Sequence, residues 1–250
     1  MRLIGKKVIV TGANRSIGKA IALLFAKEGA ELVISYRSDK KGAEEVIDCI
    51  KKTSGSATAL YADFSTYGGI EQFYKESVQV LGQIDVLINN AGGFNTQSFF
   101  ELKHQDFEKL LQVTLMTPFY LSQLVAKGML EKQIRGNIIN ISSISGARPS
   151  MNRIAHASAK AALNMLTQSM ALELAQHGIR VNAIAPGYTP YENLEFDSAI
   201  KDIPLGRAGL PSDQASTALF LATEESSWMT GQILTIDGGH SIPLSITKNT

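Results

Sequence analysis

A chain of 250 residues, 44% hydrophobic and 19% charged, is long enough for a large core and has the composition of a soluble globular protein. A net charge of +1 gives no global bias toward nucleic acid or an anionic membrane, and no apolar run approaches the ~20 residues that span a bilayer. The single cysteine, Cys49, excludes an internal disulfide framework and a cysteine-based zinc cage, and the expected setting is a reducing cytoplasm.

The charged start, Met1 to Lys7, does not read as a secretory signal and runs into a strand expected over 7–10. A helix follows over 17–28, then strand 31–35, helix 42–52, strand 58–61, helix 69–81 and strand 86–88. The second half reads helix 107–130, strand 137–141, helix 157–176, strand 180–184, helix 212–222 and strand 233–236. The strands are near-continuous apolar runs, as expected when helices cover both faces of a sheet. Gly29 and Gly178 stand just past helices, where a left-handed cap suits glycine. The alternation predicts an α/β fold: a Rossmann-type doubly wound parallel sheet of about seven strands, with its ligand crevice at the carboxyl ends of the strands. No repeat, linker or low-complexity block interrupts it, so residues 1–250 are expected to form one domain.

The first strand leads into Thr11-Gly12-Ala13-Asn14-Arg15-Ser16-Ile17-Gly18 and a helix. Small residues there let the backbone approach a pyrophosphate, and the helix start offers free N–H groups and a partial positive charge. The second strand ends in Ile34-Ser35-Tyr36-Arg37-Ser38, with no acid at its tip to take ribose hydroxyls. Arg37, with Arg15 from the first turn, is placed to pair with a 2′-phosphate. The expected cofactor is NADP(H).

With these motifs goes a further ordered set: Asp63-Phe64 after the third strand, Asn89-Asn90-Ala91-Gly92 after the fourth and Ser142-Ser143 after the fifth. Pro186-Gly187 follows the sixth, and Thr230-Gly231-Gln232 and Asp237-Gly238-Gly239 come near the end. In these residues the sequence resembles the short-chain dehydrogenase/reductase family over nearly its whole length. The resemblance implies hydride transfer between a nicotinamide and a carbonyl or alcohol. It implies an adenine contact at Asp63-Phe64, cofactor contacts at Asn90, Ala91, Gly92, Lys160, Pro186, Gly187 and Thr189, and a substrate-oxygen donor at Ser143. It also implies a homotetramer built on helices 107–130 and 157–176, with the segment around Trp228 at a second interface.

Three positions depart from the family pattern. Its Tyr-x-x-x-Lys pair reads His156-Ala157-Ser158-Ala159-Lys160, thirteen residues after Ser143; Thr114 stands at the Asn of the proton relay; and in Pro186-Gly187-Tyr188-Thr189-Pro190-Tyr191 the Thr of the nicotinamide contact is shifted or lost, while at the first turn Ser16 stands where a glycine is usual. Imidazole is a competent acid or base, and a neighbouring Lys160 favours its neutral form. Two readings stay open here: an active NADP(H)-linked enzyme using Ser143, His156, Lys160 and Thr114, and a cofactor-binding paralogue with impaired catalysis.

The four histidines show no metal-ligand spacing, so no metal is expected. Arg148 and Arg153 are read as solvated, with an anionic substrate as the minor alternative. Phe99, Phe100, Leu115 and Met116 are expected in the core, and Leu121, Leu124, Met165 and Met170 at a partner surface. Residues 188–204 are expected to form a short substrate lid carrying Glu192, Glu195 and Asp197.

Overall fold

The computed structural model describes residues 1–190 and 200–242. Seven parallel strands form one sheet in the order β3-β2-β1-β4-β5-β6-β7. These are β1 (Lys7–Val10), β2 (Glu31–Tyr36), β3 (Ser56–Tyr61), β4 (Val86–Asn89), β5 (Asn137–Ile141), β6 (Arg180–Pro186) and β7 (Ile233–Ile236). The order reverses between β1 and β4, so their carboxyl ends diverge and open a crevice there.

Helices cover both faces. On one, α1 (Ser16–Lys27) and α2 (Lys40–Lys52) join the last described helix, Pro211–Ala222, over Val8, Val10, Ile34, Ile88 and Ile139. On the other, α3 (Tyr67–Leu81) packs over Ile9, Val33 and Leu87, with Phe73 and Leu121 at the centre. Alternate residues of one strand thus feed opposite cores, which is why the strands read as unbroken apolar runs. Burial of each such side chain contributes roughly 1.5–3 kcal/mol. Gly29 (φ 90°) and Gly178 (φ 71°) take the left-handed backbone foreseen for them.

The helix expected over 107–130 is present from His104 to Glu131 but contains a π turn: α4 (His104–Leu111) runs through it (Gln112–Met116) into α5 (Thr117–Glu131), the backbone staying helical at both joins. Pro118 is the cause: it has no N–H for the i−4 carbonyl, and its ring crowds the preceding turn. The Gln112 carbonyl accepts both the Thr117 N–H and, at 2.9 Å, the Thr117 hydroxyl. The following helix, α6, runs Ile154–Leu174, so it begins before His156 rather than after it.

The two phenylalanines expected in the core are at the surface: Phe99 is 70% and Phe100 95% exposed. They follow an isolated bridge from Gln97 to Arg153 and stack edge-on against each other, with no element above them. Leu115 and Met116 are only part-buried, because the π turn rotates them off the helix face. Leu121, expected at a partner surface, is fully buried within the chain; Met165 remains 63% exposed and Trp228 fully so. Glu192, Glu195 and Asp197 lie outside the described residues.

Candidate active site

A single cavity of about 1290 Å³ runs along the carboxyl edge of the sheet. It takes in the first turn (Gly12, Asn14, Arg15, Ser16, Ile17, Gly18), the β2 tip (Arg37, Ser38), and Phe64, Asn90, Ala91 and Gly92. It continues to Ser143, His156 and Lys160, and then to Pro186, Gly187 and Thr189. Two of the sequence-predicted residues stand behind the wall rather than in it. Asp63 accepts from the Ser65 N–H at 3.0 Å, and this bond holds its carboxyl below the usual range, with the Arg37 charge adding a smaller effect. Thr114 is fully buried in the π turn.

The cofactor turn is latched from the neighbouring strand. Asn90 Nδ2 donates to the carbonyls of Thr11 and Gly12, each at 2.9 Å, and Thr11 Oγ1 accepts from the N–H groups of Asn90 and Ala91. A Cβ on Gly18 would lie 2.5 Å from the Gly12 oxygen and from Asn90 Nδ2, so only glycine lets the helix start approach this closely. Ser16 takes a positive φ of 48°, the reason a glycine suits the position. Helix α1 has no acidic residue in its first turn and no side-chain cap, so its leading N–H groups open on the cavity. A diphosphate fits that donor set.

Around the β2 tip the nearest carboxylate is Asp39. It caps α2 by accepting from Gly42 N at 2.9 Å and also takes a hydrogen bond from Asn14 Nδ2 at 3.0 Å. Those bonds, Gly42 first, hold its carboxyl below the usual range. Each of its oxygens thus already accepts one hydrogen bond from the protein.

The chemical end is assembled from buried groups. Ser143 caps a short 3₁₀ turn, its Oγ accepting from Ser145 N at 3.1 Å, which leaves its hydroxyl proton to donate. Lys160 donates to the Ile141 carbonyl at 2.5 Å, and burial pushes its ammonium down to about 8. His156, 8% exposed, contacts the Gly93 carbonyl through Nδ1 at 3.2 Å. Its pKa is pushed down to about 4, by burial first and by the Lys160 charge second. Phe94 meets the His156 ring edge-to-face at 5.2 Å, and the Arg153 guanidinium lies 4.8 Å above Phe94. Arg153 therefore lines the cavity instead of standing in solvent.

Sequence reasoning missed Gly93, Phe94, Asp106, Lys109 and His240, all of which line the cavity. His240 Nδ1 is buried without a hydrogen-bond partner among the described residues. No local motif marks these residues; they converge only once α4 and the loops after β4 and β7 are in place.

The sequence profile described as enoyl-(acyl carrier protein) reductase matches residues 12–241. The chain belongs to the short-chain dehydrogenase/reductase family. It is 38% identical to 3-oxoacyl-acyl-carrier-protein reductase FabG of Thermotoga maritima over 249 residues, covering 96% of this chain and 99% of the relative. It is 35% identical to glucose 1-dehydrogenase 2 of Bacillus subtilis over 248 residues, covering 96% of each. Among solved structures, a 7α-hydroxysteroid dehydrogenase complexed with NADH and 7-oxo glycochenodeoxycholic acid is 36% identical, with a TM-score of 0.90 and 95% of each chain covered. Short-chain dehydrogenase/reductases are oxidoreductases that use nicotinamide cofactors. Among the described residues no cluster of His, Cys, Asp or Glu can hold a metal ion, and no helix is long and apolar enough to cross a membrane.

Proposed function

We propose that this short-chain dehydrogenase/reductase is an NADP(H)-dependent enzyme acting on a small carbonyl or alcohol substrate, with His156 as its acid/base residue. The reading rests on one observation: the latched first turn and the group Ser143, His156 and Lys160 share a single cavity. The turn and the start of α1 would hold the diphosphate, and Phe64, Asn90, Ala91, Gly92, Pro186, Gly187 and Thr189 line the rest of the dinucleotide's path. When bound, the nicotinamide supplies or takes up a hydride. Lys160 supplies positive charge at that end below its pKa of about 8, and Ser143 donates to the substrate oxygen. His156 moves the proton. For the 2′-phosphate, the exposed Arg15 and Arg37 line the cavity, and Asp39 beside them already accepts from Gly42 and Asn14.

The relatives named above are themselves dehydrogenases and reductases, which supports turnover over an impaired paralogue. As further parts of the proposal, residues 1–250 act as one domain, and the exposed Phe119, Met165 and Leu172 on α5 and α6 serve a homotetramer. The lone exposed Cys49 fits a reducing cytoplasm.

The deciding experiment compares NADPH and NADH affinity and follows NADPH consumption with a carbonyl panel in wild type, His156→Ala and His156→Tyr. Tighter NADPH binding and a loss on the order of 10²–10⁴-fold in the alanine variant are expected. Tighter NADH binding refutes the cofactor assignment. Wild type no faster than alanine, with tyrosine gaining strongly, refutes the role of His156.

A further inference from the structure

We propose that the Gly93 carbonyl fixes His156 in the Nδ1-protonated tautomer, so that Nε2 meets the substrate as a proton acceptor: the resting enzyme is set to oxidise an alcohol and must take up a proton before it reduces a carbonyl. The proposal rests on the reading of His156 as the acid/base residue.

A carbonyl oxygen can only accept. The 3.2 Å contact between Nδ1 and the Gly93 oxygen therefore places a hydrogen on Nδ1. A neutral imidazole has one N–H, so Nε2 keeps its lone pair. Gly93 is itself held: its N–H donates to Thr114 Oγ1 at 3.0 Å, and that threonine is fully buried. Thr114 thus acts as a positioning residue, working on His156 through Gly93. A family pattern with Asn here has no need of this arrangement, because its acid/base phenol does not have two nitrogens to choose between.

The surroundings keep the ring neutral. His156 is buried, it lies one turn from Lys160, and it sits in the first turn of α6, where the helix dipole opposes a cation. The Gly93 contact opposes these effects, and Arg153, capping the same helix, adds a smaller one in their direction. From other elements, Asp106 and Lys109 of α4 and Tyr188 and His240 line the same cavity. The Ser143 hydroxyl complements the base, because one substrate oxygen accepts from Ser143 and donates to Nε2.

The oxidation balances. The alcohol gives its hydroxyl proton to Nε2 and its carbinol hydride to the oxidised nicotinamide, the C=O bond forms, and the imidazolium returns its proton to water. In reverse, the alkoxide developing from the carbonyl needs an imidazolium, and that form becomes scarcer as pH rises. Between pH 5 and 7, above the His156 pKa of about 4 and below the Lys160 pKa of about 8, kcat/KM for oxidation is thus level while that for reduction falls about tenfold per pH unit. The slopes differ by one, as they must, since each oxidation releases one proton. A tyrosine at 156, with a phenol that titrates near 10 when unperturbed, gives the opposite pattern.

The test has two arms. In ¹⁵N NMR at pH 7, with the His156 signals identified by their loss in His156→Gln, Nδ1 should be pyrrole-like and Nε2 pyridine-like. Thr114→Val should mix the tautomers and Thr114→Ser should restore the wild-type spectrum. In kinetics, wild type should show level oxidation and falling reduction, and His156→Tyr level reduction and rising oxidation. A proton on Nε2, or reduction that stays level from pH 5 to 7 in wild type, overturns the proposal. The expected tautomer without turnover in either direction overturns the functional reading instead.

Discussion

The two ends of the cavity are built from different materials. The adenosine end is backbone and surface charge: a turn latched by Thr11 and Asn90, an uncapped helix start, and arginines in solvent. The chemical end is buried titratable side chain: His156, Lys160 and, behind them, Thr114. Shape and peptide N–H groups recognise a dinucleotide in much the same way whatever surrounds them. The protonation states of His156 and Lys160 exist only by virtue of their neighbours.

That contrast makes a large prediction about pH. His156 titrates near 6.5 unfolded and about 4 folded, so between those values the unfolded chain binds more protons. Stability is therefore lost as pH falls from 6.5 through 4, by about 3 kcal/mol in all. Urea midpoints at pH 7 and 4 should show this loss in wild type but about 3 kcal/mol less of it in His156→Gln. Equal losses in both would mean that the chemical end is no more desolvated than the adenosine end.

A smaller effect tests the other end. Arg37→Ala should weaken NADPH binding roughly ten- to hundredfold, as expected for a charge-assisted bond, and leave NADH binding nearly unchanged. Equal losses for both cofactors, measured by fluorescence titration, would place Arg37 outside the 2′-phosphate site. The smallest effect is at Ser16. Relieving its positive φ by Ser16→Gly should stabilise the fold by about 1 kcal/mol or less, since glycine also gains freedom in the unfolded chain. Thermal denaturation that shows a loss instead would mean that the serine side chain contributes more than its backbone costs.

Much of the architecture was legible because it depends on local pattern. Apolar runs, glycines past helix ends and the turn after β1 gave the sheet and the cofactor end directly. The helix expected over 107–130 formed, but its π turn before Pro118 was hidden, because the apolar periodicity runs straight through it. Phe99 and Phe100 were expected in the core on hydrophobicity alone, yet no element covers them. Leu121 was expected outside, yet α3 and the sheet enclose it.

By itself, then, the sequence determined the α/β alternation, the glycine-bearing turn after β1 and the pairing of His156 with Lys160 four residues on, because each is a matter of residue type and spacing along the chain. Only the tertiary structure decided which nitrogen of His156 faces Gly93, that Thr114 steadies that glycine from behind the wall, and that Arg153, Phe94 and His240 join the cavity. Those depend on groups far apart in sequence, brought within hydrogen-bond and ring-contact range by the packing of α4 and α6 against the strand ends, where burial rather than residue type sets the charge.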